Sequence, residues 1–223
     1  MEKYSIYKDS GVKWLGEIPE HWESLRIDFV SKIVRGNTGF KKDELLKEGE
    51  YVALQYGKTY KVDVVDNSFN FFVNSEFYKK SQVVNDGDTI LISTSETLED
   101  LGHSCLYSRK EIGLLGGEQI LLKPNKNINA NFLNYYSKFF CVELKKYATG
   151  LKVFRFNIDD LKNISTLSPP LSEQTQIANY LDIKTKAIDK KISLLQQKIT
   201  HYKAYRKTLI NETVTKGLDK NVK

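Results

Sequence analysis

The side chains that could carry chemistry in this chain are few and scattered. His103 and Cys105, in "GHSC", are of metal-ligating type, but the chain has only one other cysteine, Cys141, and two distant histidines. A zinc centre needs three or four such ligands, and no set of that kind can be assembled. The stretch "STSE" (93–96) offers hydroxyls without the tight G-x-S-x-G elbow that presents a nucleophilic serine. The glycine pair in "LLGGEQ" (114–119) matches neither GxGxxG nor GxxxxGK[ST], so a turn is expected there and not a phosphate cradle. Asp159 and Asp160 are adjacent, so their carboxylates point different ways and suit helix capping better than acid–base work. "SPPL" (168–171) reads as a helix-entry turn. The expectation is a binding and scaffolding protein with no catalytic residue, no metal and no cofactor.

Composition narrows the class. Hydrophobic residues make up 40% of the 223, enough for a packed core in the first two thirds. Two cysteines outside any CxxC pair make no disulfide framework. No apolar run approaches the roughly 20 residues of a bilayer span, and "MEKYSIYKDS" lacks the apolar stretch of a signal peptide. A reduced, cytoplasmic setting is expected. The net charge of +6 is unevenly placed: residues 1–172 carry 23 Lys/Arg and 23 Asp/Glu, whereas residues 173–223 carry 11 and 5. The whole basic excess lies in the last segment, where it can attract nucleic acid or simply solvate a helix face.

These residues must be positioned by an α+β domain followed by a rod. Residues 1–25 read as an extended arm with local turns at Gly11, Gly16 and Pro19. The runs 50–56, 88–94, 104–108 and 119–123 read as strands, being β-branched and apolar between polar or glycine-containing turns. Residues 129–150 read as a helix whose stripe is Phe132, Tyr136, Phe139/Phe140, Leu144 and Tyr147, with Gly150 ending it. Pro169-Pro170 then block a helix, and Ser172 is placed to cap the next one. From there Leu181, Ile188, Leu195, Tyr202 and Leu209 recur every seventh residue, interleaved with Ala178, Thr185, Ile192, Ile199 and Arg206. That is a coiled-coil register over about five heptads, on a helix from Ser172 to Lys216 on the order of 65 Å long. Its stripe needs a partner helix, and an intermolecular one is expected. The domains are accordingly 1–168, including the arm, and 169–223.

Three stretches go beyond periodicity. "KDSGVKWLGEIPEHWE" (8–23), "PPLSEQTQIANYLD" (169–182) and "LINETVTKGLDKNVK" (209–223) closely resemble the specificity subunit of type I restriction-modification systems. The resemblance covers both flanks; the middle, about 30–155, shares only size and strand-rich texture. It implies a non-catalytic subunit that chooses the DNA sequence. Members of this family usually carry two target recognition domains, each followed by a long helix, and the two helices pack antiparallel as a ruler between half-sites. Here one of each is present. The implied form is a half-length subunit that dimerises and reads an inverted repeat, in keeping with symmetric dimers reading palindromic half-sites. The implied partners are double-stranded DNA, modification subunits that methylate adenine using S-adenosylmethionine, and through them the restriction subunit.

Phosphate contacts position such a reader and base-edge contacts specify. The candidates are polar and basic loop residues: Lys58 and Tyr60 in "YGKTY", Ser93, Thr94, Ser95 and Thr97 in "STSET", Arg109 and Lys110, Gln119, and Lys152 with Arg155 in "GLKVFR". The last pair is the strongest candidate, on a glycine-led loop between two helices. The aromatic run "FNFFVNSEFY" (69–78) suits core packing better than base stacking. Leu181, Ile188, Ile192, Leu195, Ile199, Tyr202 and Leu209 are expected to make the dimer or subunit interface, with Lys190, Lys191 and Lys198 beside it. Two rivals stay open: an interaction protein that occupies modification subunits without reading DNA, and a stand-alone DNA-modifying enzyme. Sequence preference in DNA binding discriminates the first, and binding of S-adenosylmethionine or Mg²⁺-dependent cutting the second.

Overall fold

A computed structural model describes residues 4–218. Residues 1–3 of the expected arm and 219–223 of the expected helical segment lie outside the described residues. In chain order the elements begin with β1 (Tyr7–Asp9), β2 (Glu17–Pro19), β3 (Glu23–Arg26), α1 (Ile27–Val30), β4 (Ser31–Arg35), β5 (Tyr51–Leu54), α2 (Tyr56–Thr59), β6 (Val64–Val65), β7 (Phe72–Val73) and β8 (Val83–Val84). There follow β9 (Thr89–Ile92), β10 (Thr94–Ser95), β11 (Ser104–Tyr107), β12 (Gly113–Leu115), β13 (Gln119–Pro124), α3 (Ala130–Leu144), β14 (Phe154–Arg155), α4 (Ile158–Lys162), β15 (Ser165–Ser168) and α5 (Leu171–Lys216). All four expected strands and both long helices form.

The middle of the chain is built in layers around a five-stranded sheet ordered β4-β13-β9-β11-β6. Successive side chains of a strand face opposite sides, and both sides here are covered. Ile120 and Leu122 of β13 and Leu91 of β9 join Phe132, Leu133, Tyr136, Phe140 and Leu144 of α3 in one core. Leu121 and Ile90, one residue out of phase, face the other way and pack with Val52, Leu54 and Leu115 of the second sheet. That sheet is ordered β7-β5-β12-β8. Burial on both faces explains why "TILI" and "QILL" are continuous apolar runs with no alternation. The aromatic run behaves as core: Phe69 is buried, and Phe71 and Phe72 pack against the same cluster.

Helix α3 starts where Asn129 accepts the Phe132 N–H at 3.0 Å, a side-chain cap. Its buried stripe is Phe132, Tyr136, Phe140 and Leu144; Phe139 and Tyr147 are half exposed and do not belong to it. The α-helix stops at Leu144 and a 3₁₀ turn, Lys145–Tyr147, completes it. Gly150 follows at φ +115°, a conformation that L side chains rarely adopt. Asp160 caps α4, as its position suggested: it accepts the Asn157 N–H at 2.8 Å, while Asp159 pairs with Lys162 at 3.0 Å.

The two flanks close on each other. The arm is not simply extended: β1 and β2 form a hairpin, and β3 pairs antiparallel with β15, matching Ser165 to Arg26 and Ser168 to Glu23. Helix α5 begins at Leu171, with the Pro170 carbonyl accepting from the Glu173 and Gln174 N–H groups. Ser172 therefore sits inside the first turn and is not the cap. Glu173 instead binds the arm: the Tyr4 hydroxyl donates to it at 2.8 Å and the Trp22 indole at 2.9 Å, and His21 Nε2 lies 2.7 Å away. Gln174 is buried and bridges three backbone groups, accepting from Asn129 N–H and donating to the Asn127 and Pro169 carbonyls. Through Gln174 and Ala178 the opening turns of α5 belong to the first compact unit, Met1–Ala178, so the expected boundary at 168/169 lies inside it.

The second unit, Asn179–Lys223, contains the rest of α5. Its seam is apolar and uncovered. Ile188, Ile192, Leu195, Ile199, Tyr202 and Leu209 are each between 48% and 60% exposed, and Leu181 is half-buried. The 46-residue helix spans on the order of 70 Å.

Candidate nucleic-acid interface

Two of the candidate loops, some sixty residues apart in sequence, meet in one small antiparallel pair. Strand β14 lies against β10 with Thr94 opposite Arg155 and Ser95 opposite Phe154. The Phe156 N–H donates to the Ser93 carbonyl at 3.2 Å, and Phe156 itself is buried in the α3 core. Beyond β14 the chain folds into a tight hairpin: Thr149 and Arg155 exchange backbone N–H···O bonds of 2.9 and 3.0 Å. Gly150 makes that hairpin possible, since a Cβ there would come within 2.0 Å of the Val153 carbonyl oxygen. The tip carries Leu151 and Lys152, both exposed; Arg155 is exposed on the stem. On the facing loop, Thr97 accepts from the Asp100 N–H and donates to its carboxylate at 2.7 Å, which fixes the loop after β10. Lys145 donates to the Glu99 carbonyl at 2.7 Å and ties that loop to the end of α3.

A second group lies on α2. Tyr56 and Tyr60 stack with ring centroids 5.6 Å apart, and the Lys58 ammonium sits 4.6 Å over the Phe71 ring. Tyr56 borders an open cleft of about 400 Å³ whose far wall is the Gly116-Gly117-Glu118 turn. The glycine pair is structural: a Cβ on Gly116 would come within 2.4 Å of the Leu54 carbonyl oxygen, and Gly117 N–H bonds Thr38 O at 2.8 Å. Glu118 takes φ +62°, and its carbonyl accepts the Ser93 N–H at 3.0 Å. The cleft and the hairpin loops are thus joined through one turn.

Other candidates are internal. Arg109 is buried: Nη1 donates to the Phe69 carbonyl at 2.7 Å, Nη2 pairs with Glu111 at 2.9 Å, and the guanidinium lies 5.4 Å from the Phe72 ring centre. Gln119 is fully buried, accepting from Thr59 and donating to the Leu54 carbonyl at 2.6 Å. Ser93 and Ser95 are buried as well. These four cannot face a ligand without breaking the fold, and they are better described as the frame of the surface. Lys110 is exposed on a different turn, between β11 and β12. Leu151, a lone leucine between glycine and lysine, lies outside the polar and basic candidates that the sequence offers.

His103 Nε2 lies 2.9 Å from the Val62 carbonyl. Burial pushes the Cys105 and Cys141 thiols up to about 12. Among the described residues no group of three His, Cys, Asp or Glu could hold a metal, and no helix is long and apolar enough to cross a membrane.

A layered, strand-rich unit followed in sequence by a long helix with an apolar seam defines the fold, and comparison identifies the family. The family model described as the type I restriction modification DNA specificity domain matches residues 19–201, and the chain belongs to that family. It is 27% identical over 217 residues to the type I restriction enzyme MjaVIII specificity subunit of Methanocaldococcus jannaschii, covering 96% of this chain and 47% of that protein. It is 23% identical over 207 residues to the StySPI specificity subunit of Salmonella potsdam, covering 90% and 44%. The chain therefore spans about half the length of the curated relatives it matches. Among solved structures, a chain of a type I R-M system superposes with a TM-score of 0.73 at 18% identity, covering 95% of this chain and 49% of that one. The HsdS subunit of Thermoanaerobacter tengcongensis gives 0.60, also at 18%. These likenesses show a shared fold.

Proposed function

We propose that this chain is a cytoplasmic, non-catalytic DNA-recognition subunit. Its first unit reads one half-site, and α5 pairs with the same helix of a second copy, so that the dimer reads an inverted repeat. The observation that carries the reading is the β10–β14 pair, which gathers Thr94, Thr97, Lys152 and Arg155 on one frame of buried side chains. A fixed frame with exposed tips suits contact with DNA, and Lys58 and Lys110 are further candidates for phosphate contact. The relatives named as specificity subunits support the role, and they support modification subunits, and through these a restriction subunit, as the partners. The uncovered seam of α5 supports a helix partner.

The test has two readouts on the full chain. Light scattering over a range of concentrations is expected to give twice 25.7 kDa, and Ile192→Asp with Leu195→Asp is expected to give the monomer. Selection from randomised duplexes by the chain with modification subunits is expected to enrich an inverted repeat with a fixed spacer. A monomer at every concentration overturns the symmetric dimer; binding without any enriched sequence overturns the reading of DNA.

A further inference from the structure

Leu151 is 99% exposed, at the apex of a hairpin that is otherwise firmly held. The stem is closed by the paired Thr149–Arg155 backbone bonds, docked edge-on to β10, and anchored by Phe154 and Phe156 against the core. Val153, beside the tip, is 37% exposed. Around this apolar point the charge is one-sided: residues 144–157, "LKKYATGLKVFRFN", hold four Lys/Arg and no Asp/Glu. Lys145 and Lys146 are engaged locally, by the Glu99 carbonyl and by Glu143. Among the described residues the Lys152 and Arg155 side chains have no hydrogen bond or ion pair, and both stay available to an anion.

We propose that this hairpin is a wedge: Leu151 inserts between two base pairs from the minor groove while Lys152 and Arg155 hold the flanking phosphates. This rests on the DNA-reading function proposed above and assigns it a deformation step. An apolar side chain that parts a base step and kinks the duplex lets sequence be read through deformability, without a hydrogen bond to a base. The size of the feature favours DNA over protein as the occupant. One leucine and the edge of one valine fall far short of the about 800 Å² per partner that a stable protein interface buries. A gap between base pairs accepts a single side chain. The surrounding positive charge is complementary to a phosphate backbone.

The experiment uses the full chain with modification subunits and the duplex that the wild type selects from a randomised library. 2-Aminopurine is placed at successive positions, and its fluorescence reports unstacking. The wild type is expected to unstack one step, and Leu151→Ala to abolish that signal and weaken binding to the selected duplex by about tenfold. Leu151→Met is expected to keep the signal, and Lys152→Ala to weaken binding to all duplexes and lower the salt slope by about one. If the wild type selects a sequence but Leu151→Ala keeps both signal and affinity, the wedge is overturned and the reading function stands. Intact DNA binding with impaired capture of modification subunits overturns the wedge in favour of a protein contact. Failure of the wild type to select any sequence overturns both.

Discussion

The entry to α5 and the 149–155 hairpin are of similar length and do opposite things with their side chains. At the helix entry two polar side chains are engaged inside the chain: Glu173 binds Tyr4 and Trp22 and meets His21, and Gln174 bridges Asn127, Asn129 and Pro169. At the hairpin the backbone and Phe154 are engaged, while Leu151, Lys152 and Arg155 all face solvent. The motif that makes the family recognisable is therefore a closure device. It clamps the arm to the far end of the domain, and the surface proposed to read DNA lies in the stretch with no motif at all.

The contrast predicts the largest loss at Gln174. Gln174→Leu keeps the volume but removes the partner of one N–H and two carbonyls, of which the Pro169 carbonyl bond is buried and the other two are part-buried. Each unmade bond costs about 1–3 kcal/mol, so a loss of about 2–4 kcal/mol is expected in urea denaturation. A loss below 1 kcal/mol would mean that water replaces the amide. Next comes Gly150→Ala, which forces a Cβ against the Val153 carbonyl at φ +115°. Strain of this kind costs about 1–3 kcal/mol, and hydrogen exchange at the Thr149 and Arg155 amides should locate it in the hairpin alone.

Glu173 gives a smaller and pH-dependent effect. Burial pushes its carboxyl up, but the hydrogen bonds from Tyr4 and Trp22 and the contact with His21 outweigh this and hold it below the ordinary carboxylate range. A folded-state value lower than the unfolded one means stability that is fully present above the unfolded pKa. It is lost as pH falls through the folded value, that is, from about pH 5 downward. Asp88 slopes the other way, because burial raises it against the Asn85 N–H and Lys123. The wild-type profile alone thus mixes two signs. Glu173→Gln isolates the latch: a cost of about 1 kcal/mol is expected near neutrality, shrinking in acid as the wild-type carboxylate is protonated. A difference that does not change with pH would show that the charge plays no part.

The layers of the fold were legible because their signal is local. Four apolar runs gave four strands, and the proline pair marked the start of α5. Apart from Pro169, the partners of Glu173 and Gln174 were hidden because they lie about 45 to 170 residues away in sequence. Arg109 and Gln119 were misjudged for the same reason. A polar residue at the end of a strand looks like a surface group until the carbonyls of Phe69 and Leu54 arrive beside it. Arg155 was legible by type, and its meeting with Thr94 was not.

The smallest expected effect is the one that most sharpens the contrast. Leu151→Ser removes the largest exposed apolar group of the hairpin, yet no packing is lost, since the side chain touches almost nothing in the folded chain. Surface changes of this sort fall within about 0.5 kcal/mol, so the urea midpoint is expected to stay put while the affinity for the selected duplex drops. Gln174 at the closure motif cannot behave this way, because its side chain is buried and its contacts are internal. If Leu151→Ser lowers stability by more than about 1 kcal/mol, the hairpin tip packs within the chain in solution. The division between an engaged frame and an unengaged tip then fails at its most exposed residue.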